Sequence, residues 1–588
     1  MLFGRHINKY YLKYGIFFLI GLAALVVVDY VQLEIPNIIG NIIDGLELKT
    51  LTKEDVVIYI KDIAIFGLII VFGRFLWRIF IFGTSWRIDF DLRNNMFDHA
   101  EKLSQTYYSE KKSGGLMALF INDLNAIRMA FGPGLLMLFD ILILGTLAFY
   151  RMYALDKTIT YFASIPLVLI AVLATYISKI TGKKFKARQQ AFEDMSDFTQ
   201  ENFYGISVIK AFVNEVREIK AFSRINRVNQ EKNVSYIKAS TFLHVAVEMF
   251  INIIRVIMLG LGAYLVYTTM SEESVFTIGD LTRYIAYFGT LIWPMMAIGR
   301  LINMRAQAKA SLDRVSAFLD ADIEIQDDRE VINVEKIEGK ITFNNLTFKY
   351  PKTEKEVLKN INFVIEKGQT VGIIGRTGSG KTTLVDLMLR LYNLKTCELL
   401  IDDYDIMKLP IKTIRDAIGY VPQENFIFSD VIRNNISFSS DVSDQELIKQ
   451  MAIYSDIHDN IIDFPNQYDT MVGERGVTLS GGQKQRISIA RALLKNPQIL
   501  IMDDSFSAVD TKTEEQVISN LRELRKGKTT IIIAHRISTI KSADQIIFIE
   551  NGEVMAKGTH EELLNTCDLY RKMVIHQRLE AELEEEVI

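Results

Sequence analysis

The stretch Gly375-Arg376-Thr377-Gly378-Ser379-Gly380-Lys381-Thr382-Thr383 carries the clearest chemistry in the chain. It follows the apolar, β-branched run Thr370-Val371-Gly372-Ile373-Ile374 and precedes Leu384 to Leu389, where apolar residues recur at helical spacing. Strand, glycine loop and helix in that order form a phosphate cradle. The glycines let backbone N–H groups turn inward around phosphate oxygens, and the helix N-terminus adds its partial positive charge. In such a loop Lys381 reaches the β- and γ-phosphates of a nucleotide, and the Thr382 hydroxyl ligates Mg²⁺. Downstream, Gln498 to Asp503 reads as an apolar strand ending in a carboxylate, which would hold Mg²⁺ through water opposite Thr382. Leu479-Ser480-Gly481-Gly482-Gln483 opens another helix, with a hydroxyl and two glycines at an end suited to presenting N–H groups to an anion. One chain thus carries two anion-binding ends.

These groups need a scaffold, and the composition describes it. The 588 residues are 49% hydrophobic and 23% charged, with a mean hydropathy of +0.16. Those figures fit a chain that is part membrane and part soluble. A net charge of -4 gives no global nucleic-acid signature. The two cysteines, Cys397 and Cys567, support neither a disulfide framework nor a thiolate metal site, and the seven histidines form no ligand-spaced cluster. From Lys340 onward, short β-branched strands alternate with helix-like segments, which predicts an α/β P-loop NTPase domain with a largely parallel sheet.

Ahead of it lie six candidate spans, at about 16–39, 57–82, 130–153, 158–179, 241–268 and 278–303, each near the ~20 residues that a hydrocarbon core requires. No small-residue cleavage site follows the first, so no signal peptide is expected. The segments after the second and fourth spans are long and rich in Lys and Arg, which places them and both termini in the cytoplasm. Lacking Pro and mixing charged with apolar residues at helical spacing, as at Phe198, Phe203, Ile206, Ile209 and Phe212, they read as cytoplasmic extensions of the membrane helices with an apolar docking face. Arg74, Arg78, Asp140, Glu248, Arg255 and Arg300 fall inside spans, where charge is costly; each is a pathway group or half of a structural ion pair. The expected layout is an α-helical membrane domain over 1–320, a linker over 321–339, the cassette over 340–577 and an acidic tail over 578–588.

At this point the sequence resembles the ATP-binding cassette exporters that fuse six spans to one cassette. Leu479 to Gln483 match the family's L-S-G-G-Q signature residue for residue, with the glycine loop upstream and Asp503 downstream. The resemblance implies that Tyr350 stacks on adenine, that Gln423 in Tyr420-Val421-Pro422-Gln423 touches Mg²⁺, and that His535 is the switch histidine at the γ-phosphate. Ser507-Ala508-Val509-Asp510 resembles the D-loop; Ser113 to Leu116 with Asn122-Asp123, and Asn202 to Glu215, look like coupling regions. It also implies two cassettes closing head to tail, each ATP held between the glycine loop of one and Ser480 to Gln483 of the other.

Two departures matter. The family usually places Glu after the Asp503 position, as base for the attacking water; here Asp504 stands there, one methylene shorter. A carboxylate withdrawn by about 1 Å can lose on the order of a hundredfold in rate. Family members with Asp at this position commonly pair with a different chain that supplies the Glu. The expectation is therefore the glutamate-lacking half of a heterodimeric bacterial multidrug exporter in the cell membrane, extruding amphipathic small molecules. A lipid flippase, favoured by basic groups such as Arg74 and Arg78 at a cavity mouth, and an ATP-gated sensor with little turnover are the alternatives. Cys397, where the family usually has Gly, implies a different local turn.

Overall fold

The computed structural model describes residues 4–111, 113–269, 276–440, 444–473 and 479–587. Side chains at 113, 114, 166–168, 170–175, 177–179, 243, 269 and from 580 on are outside the described set. The chain forms two compact units, one of residues 1–101 with 113–321, the other of 102–112 with 322–588.

The first unit is helical throughout. α1 (Asn8–Glu47) and α2 (Lys53–Trp77) lead through a π-helical turn (Arg78–Phe82) into α3 (Gly83–Lys102). After α4 (Gln105–Glu110), which belongs to the second unit, come α5 (Ser113–Ala118), a second π turn (Leu119–Asp123), α6 (Leu124–Phe131), α7 (Pro133–Phe139), a third π turn (Asp140–Leu144) and α8 (Gly145–Leu155). α9 (Lys157–Tyr204), α10 (Ile206–Ala211), α11 (Glu215–Thr269) and α12 (Ile278–Leu319) complete the unit. The sequence sets several helix starts: Thr52 and Thr277 close reciprocal capping boxes with Asp55 and Asp280, and Asp156 caps α9 through the Ile159 N–H.

Five helical stretches among the described residues are long and apolar enough to cross a bilayer: Asn8–Glu47, Lys53–Lys102, Gly115–Leu155, Glu215–Thr268 and Ile278–Leu319. The expected span at 158–179 lies on α9, where most side chains from 166 to 179 are outside the described residues. α9 and α11 pack against each other in antiparallel fashion, with Lys184 donating to the Ser235 hydroxyl at 2.8 Å and Arg188 lying over the rings of Phe185 and Tyr236. α10 makes the tight return between them, flanked by the exposed Phe203, Tyr204, Phe212 and Val213. The expected helical extensions are thus present, with exposed apolar side chains at their tip.

The first unit is pinned at one end by Arg283, buried against α1. Its guanidinium donates to Asn41 Oδ1 at 2.6 Å and Asp44 Oδ2 at 2.9 Å, and pairs with Asp280 on its own helix. A Cβ at Gly40 would sit 2.2 Å from Arg283 Nε, so only glycine lets α1 approach this closely.

The second unit holds two sheets. An antiparallel four-stranded sheet has the order β2–β1–β4–β5, from β1 (Ile341–Phe348), β2 (Leu358–Ile365), β4 (Leu399–Ile401) and β5 (Tyr404–Asp405). The six-stranded sheet runs β10–β9–β3–β8–β7–β6, from β3 (Thr370–Ile374), β6 (Ile418–Val421), β7 (Ile499–Asp503), β8 (Thr529–Ile533), β9 (Gln545–Glu550) and β10 (Glu553–Gly558). All its pairings are parallel except β9 with β10. Every residue of β7 and β8 is buried, as in strands covered on both faces, with only Asp503 and Thr529-Thr530 interrupting their apolar runs. The stretch carrying α4 joins this unit through Ser104 to Glu324 at 2.8 Å and Glu110 to Lys352 at 2.6 Å. Cys397 takes φ +64°, the left-handed region that glycine enters freely.

Arg283→Ala should destabilise the detergent-solubilised chain by about 3–5 kcal/mol, because it leaves the Asp44 and Asp280 carboxylates without their cation. A lowered thermal midpoint would be the readout, and Gly40→Ala should move it the same way.

Candidate functional site

The order of the parallel strands places the chemistry. β3, β8, β7 and β6 are neighbours running the same way, so their C-terminal ends open on one edge. That edge receives the loop 375–380 from β3, Ala534-His535 from β8, Asp503-Asp504 from β7 and Pro422-Gln423 from β6.

The glycine loop is held open by contacts only glycine permits. Gly378 and Gly380 take φ +81° and +98°, and a Cβ on Gly380 would lie 2.6 Å from Leu358 Cδ2. A Cβ on Gly375 would fall 2.0 Å from the Ile549 carbonyl. α13 (Lys381–Met388) starts directly behind the loop. Its Lys381 is buried, and the amino group donates to the Gly375 and Arg376 carbonyls at 2.9 and 3.0 Å. Burial holds the Lys381 amino group below its ordinary value, against the upward pull of Asp503, Asp504 and Glu550. Ser379 Oγ and Asp503 Oδ2 are buried without a hydrogen-bond partner. Two orphaned oxygens beside a desolvated amino group fit a site built for a phosphate and its divalent cation.

The residues singled out from the sequence gather here. Asp503 is buried, which raises its carboxyl above the usual range; Thr382, Lys381 and His535 act on it in the opposite direction, and Asp504 adds to the rise. Arg376 Nε lies 3.6 Å from Glu550, while Thr377 on the loop and Thr382 in the first turn of α13 are exposed. Asp504 stands half-buried at φ +46°, its N–H on the Ile533 carbonyl at 2.9 Å. Left-handed backbone suits Asp better than Glu. Gln423 is exposed just past β6. The Tyr350 hydroxyl shares a 2.9 Å hydrogen bond with Thr383, and its ring meets Tyr392 edge-on at 5.2 Å beside a cavity of about 570 Å³.

Ser480 to Gln483 stand apart. Ser480 caps the helix Gly481–Leu494, its hydroxyl accepting from the Gln483 N–H at 3.2 Å while Gln483 Oε1 accepts the Ser480 N–H at 2.9 Å. Gly482 leaves room for the Ala508 carbonyl, which a Cβ would meet at 2.8 Å. Gln485 clamps this helix to the D-loop-like stretch, donating to Ser507 Oγ at 2.9 Å and accepting the Ala508 N–H at 3.1 Å. Among the described residues, no hydrogen bond or ion pair joins Ser480–Gln483 to the loop 375–383.

Two further groups escaped the sequence reading. Gln577 grips the stretch around His535, donating to the His535 carbonyl at 2.6 Å and accepting the Ile537 N–H at 2.9 Å. Asp386 is a carboxyl on α13 pushed up to about 6 by burial and by Asp503. A lone acid inside Leu384 to Leu389 was the available signal for Asp386; Gln577 offered none.

Comparison with known proteins agrees with this geometry. Residues 358–507 match the ABC transporter family and residues 18–295 the ABC transporter transmembrane region. The chain belongs to the ABC transporters, as a half-transporter whose membrane-spanning domain is fused to one ATP-binding cassette that couples ATP hydrolysis to transport. It is 36% identical over 579 residues to the probable multidrug resistance ABC transporter ATP-binding/permease protein YheI of Bacillus subtilis, covering 98% of this chain and 97% of that protein. Identity to the multidrug resistance-like ATP-binding protein MdlA of Escherichia coli is 33%, over 96% of this chain and 94% of that one. Among solved structures it resembles a bacterial Atm1-family ABC exporter with ATP bound, at a TM-score of 0.74 and 26% identity over 97% of this chain and 98% of that one.

The raised Asp386 carboxyl binds its proton more tightly in the native state than in the unfolded chain. Its contribution therefore stabilises at low pH and is lost as pH rises from about 4 through about 6. Asp386→Asn should remove that slope and raise stability at pH 7.5 by at most about 3 kcal/mol. Thermal melts of the nucleotide-free chain at pH 4.5 and 7.5 would measure the effect.

Proposed function

We propose that this chain exports amphipathic small molecules as one half of a pair with a second, different half-transporter, and that its own ATP site turns over slowly. In this reading six spans run through 1–320, a linker covers 321–339, and the cassette over 340–577 and both termini lie on the cytoplasmic side of a bacterial plasma membrane. The names of the relatives, multidrug resistance proteins among them, support the substrate class.

The observation that carries the pairing is the separation of the two anion-binding ends. The N-terminus of the helix Gly481–Leu494 is exposed and capped but engages nothing at the glycine loop, so a second cassette is needed to bring a signature end to the phosphates held here. ATP with Mg²⁺ supplies the phosphoanhydride whose hydrolysis drives the cycle. The N–H groups from Gly375 to Thr383 would turn onto its phosphates, with Lys381 leaving the loop carbonyls to meet the γ-phosphate. Thr382, Asp503 and Gln423 would hold Mg²⁺, His535 would contact the γ-phosphate, and Tyr350 would stack on adenine. Ser480, Gly481, Gly482 and Gln483 would complete the partner's site. Asp504 would orient water from too far back, and that assigns the slow step to this chain's own site. Binding two ATP molecules favours the closed cassette pair, and that differential affinity reorients the membrane helices.

Steady-state ATPase of the purified chain, alone and with candidate half-transporters bearing Glu after the strand-end Asp, tests the reading. The chain alone should be nearly inactive, should gain activity beside such a partner, and should speed up at least tenfold on Asp504→Glu. Turnover by the lone chain at about 1 per second or more would instead make Asp504 a working base and the homodimer the functional unit. Lys381→Ala should abolish binding of a fluorescent ATP analogue in either case.

A further inference from the structure

A cavity of about 360 Å³ lies inside the membrane-spanning unit, walled by α1, α2, α12 and the third π turn. Two carboxylates face it. Asp29 is 3% exposed and Asp140 8% exposed. Two of the chain's three tryptophans, Trp77 and Trp293, line the same space. Trp293 Nε1 donates to Asp140 Oδ2 at 3.0 Å, which fixes that carboxylate in place. Asp29 Oδ2 and Trp77 Nε1 are both buried and have no hydrogen-bond partner. Orphaned polar atoms of this kind in a protein interior call for an explanation. The Arg78 and Asp140 positions each open a π-helical turn, a local distortion frequent at ligand sites.

The sign of the charge selects the ligand. Both arginines at this cavity are exposed and otherwise engaged: Arg74 donates to Gln32 at 3.1 Å and acts on Asp29 only through space, and the Arg78 guanidinium lies 5.5 Å from the Trp77 ring centroid. The acids are thus the buried groups and the bases the outer ones. An intramembrane carboxylate is stabilised by a cation brought to it. We infer that this cavity is a subsite for the positively charged group of a lipophilic organic cation, which Asp29 and Asp140 recognise while the apolar wall and the indoles take its body. The inference rests on the exporter reading and names the substrate class for it.

Tetraphenylphosphonium and tetraphenylborate are matched in size and opposite in charge, and quenching of Trp77 and Trp293 fluorescence reports their binding to the full chain in detergent. The phosphonium should bind more tightly. Asp29→Asn and Asp140→Asn should each weaken it at least tenfold while leaving the borate unweakened; Asp29→Glu should keep the preference. Should Asp29→Asn not fold, Asp140→Asn and Asp29→Glu carry the same comparison. Equal losses for both ions, or no loss for either, overturn the inference. So does phosphonium binding that appears only in Arg74→Gln, because Asp29 is then satisfied from within the chain. Transport assays in vesicles with ATP separate the two readings. Charge-dependent phosphonium binding without ATP-driven movement of any compound sinks the exporter reading and leaves the subsite standing. ATP-driven transport indifferent to charge does the reverse.

Discussion

A buried lysine amino group is the constraint around which the cassette is arranged. Lys381 is desolvated at the head of α13 and rests on the two loop carbonyls of Gly375 and Arg376. Three acids, Asp503, Asp504 and Glu550, keep its charge tolerable at longer range. The parallel order β9–β3–β8–β7 is what delivers those acids, since the loop and the carboxylates come from strands far apart in the chain. An anion at the loop would take over the role of the carbonyls and the acids at once.

The same logic extends to the helix Gly481–Leu494, though there the solution is the opposite one. Ser480 and Gln483 satisfy each other's backbone N–H groups, which leaves a tidy, exposed end that costs little to leave unoccupied. One end thus presents a buried cation and the other caps itself.

What the sequence revealed, and what it hid, follows from the range of the interactions. The glycine loop, the capped signature helix and the apolar strand ending at Asp503 were legible because each is a local pattern read within about ten residues. Antiparallel extensions from α9 and α11 were legible from their charge-and-apolar spacing. Gln577 was not, because its partners at His535 and Ile537 lie some 40 residues upstream and no pattern in the C-terminal helix marks it. Asp140 stood out as an acid in an apolar run, but Asp29 did not, and only the packing of α1, α2 and α12 around one space gives the two a common meaning. Cys397 marks another limit: its left-handed backbone is held by a hydrogen bond from its N–H to Asp405, a partner that its own residue type does not announce.

The pair α9 and α11, with α10 as its tip, has a mechanical consequence. Helices of 48 and 55 residues span roughly 70 and 80 Å at 1.5 Å per residue. Packed side by side they behave as a stiff boom, and a tilt of about 5° at one end sweeps the other through several ångströms. The exposed Phe203, Tyr204, Phe212 and Val213 sit at that far end. A displacement too small to notice where the boom is rooted therefore becomes, at those four side chains, a stroke the size of a helical turn.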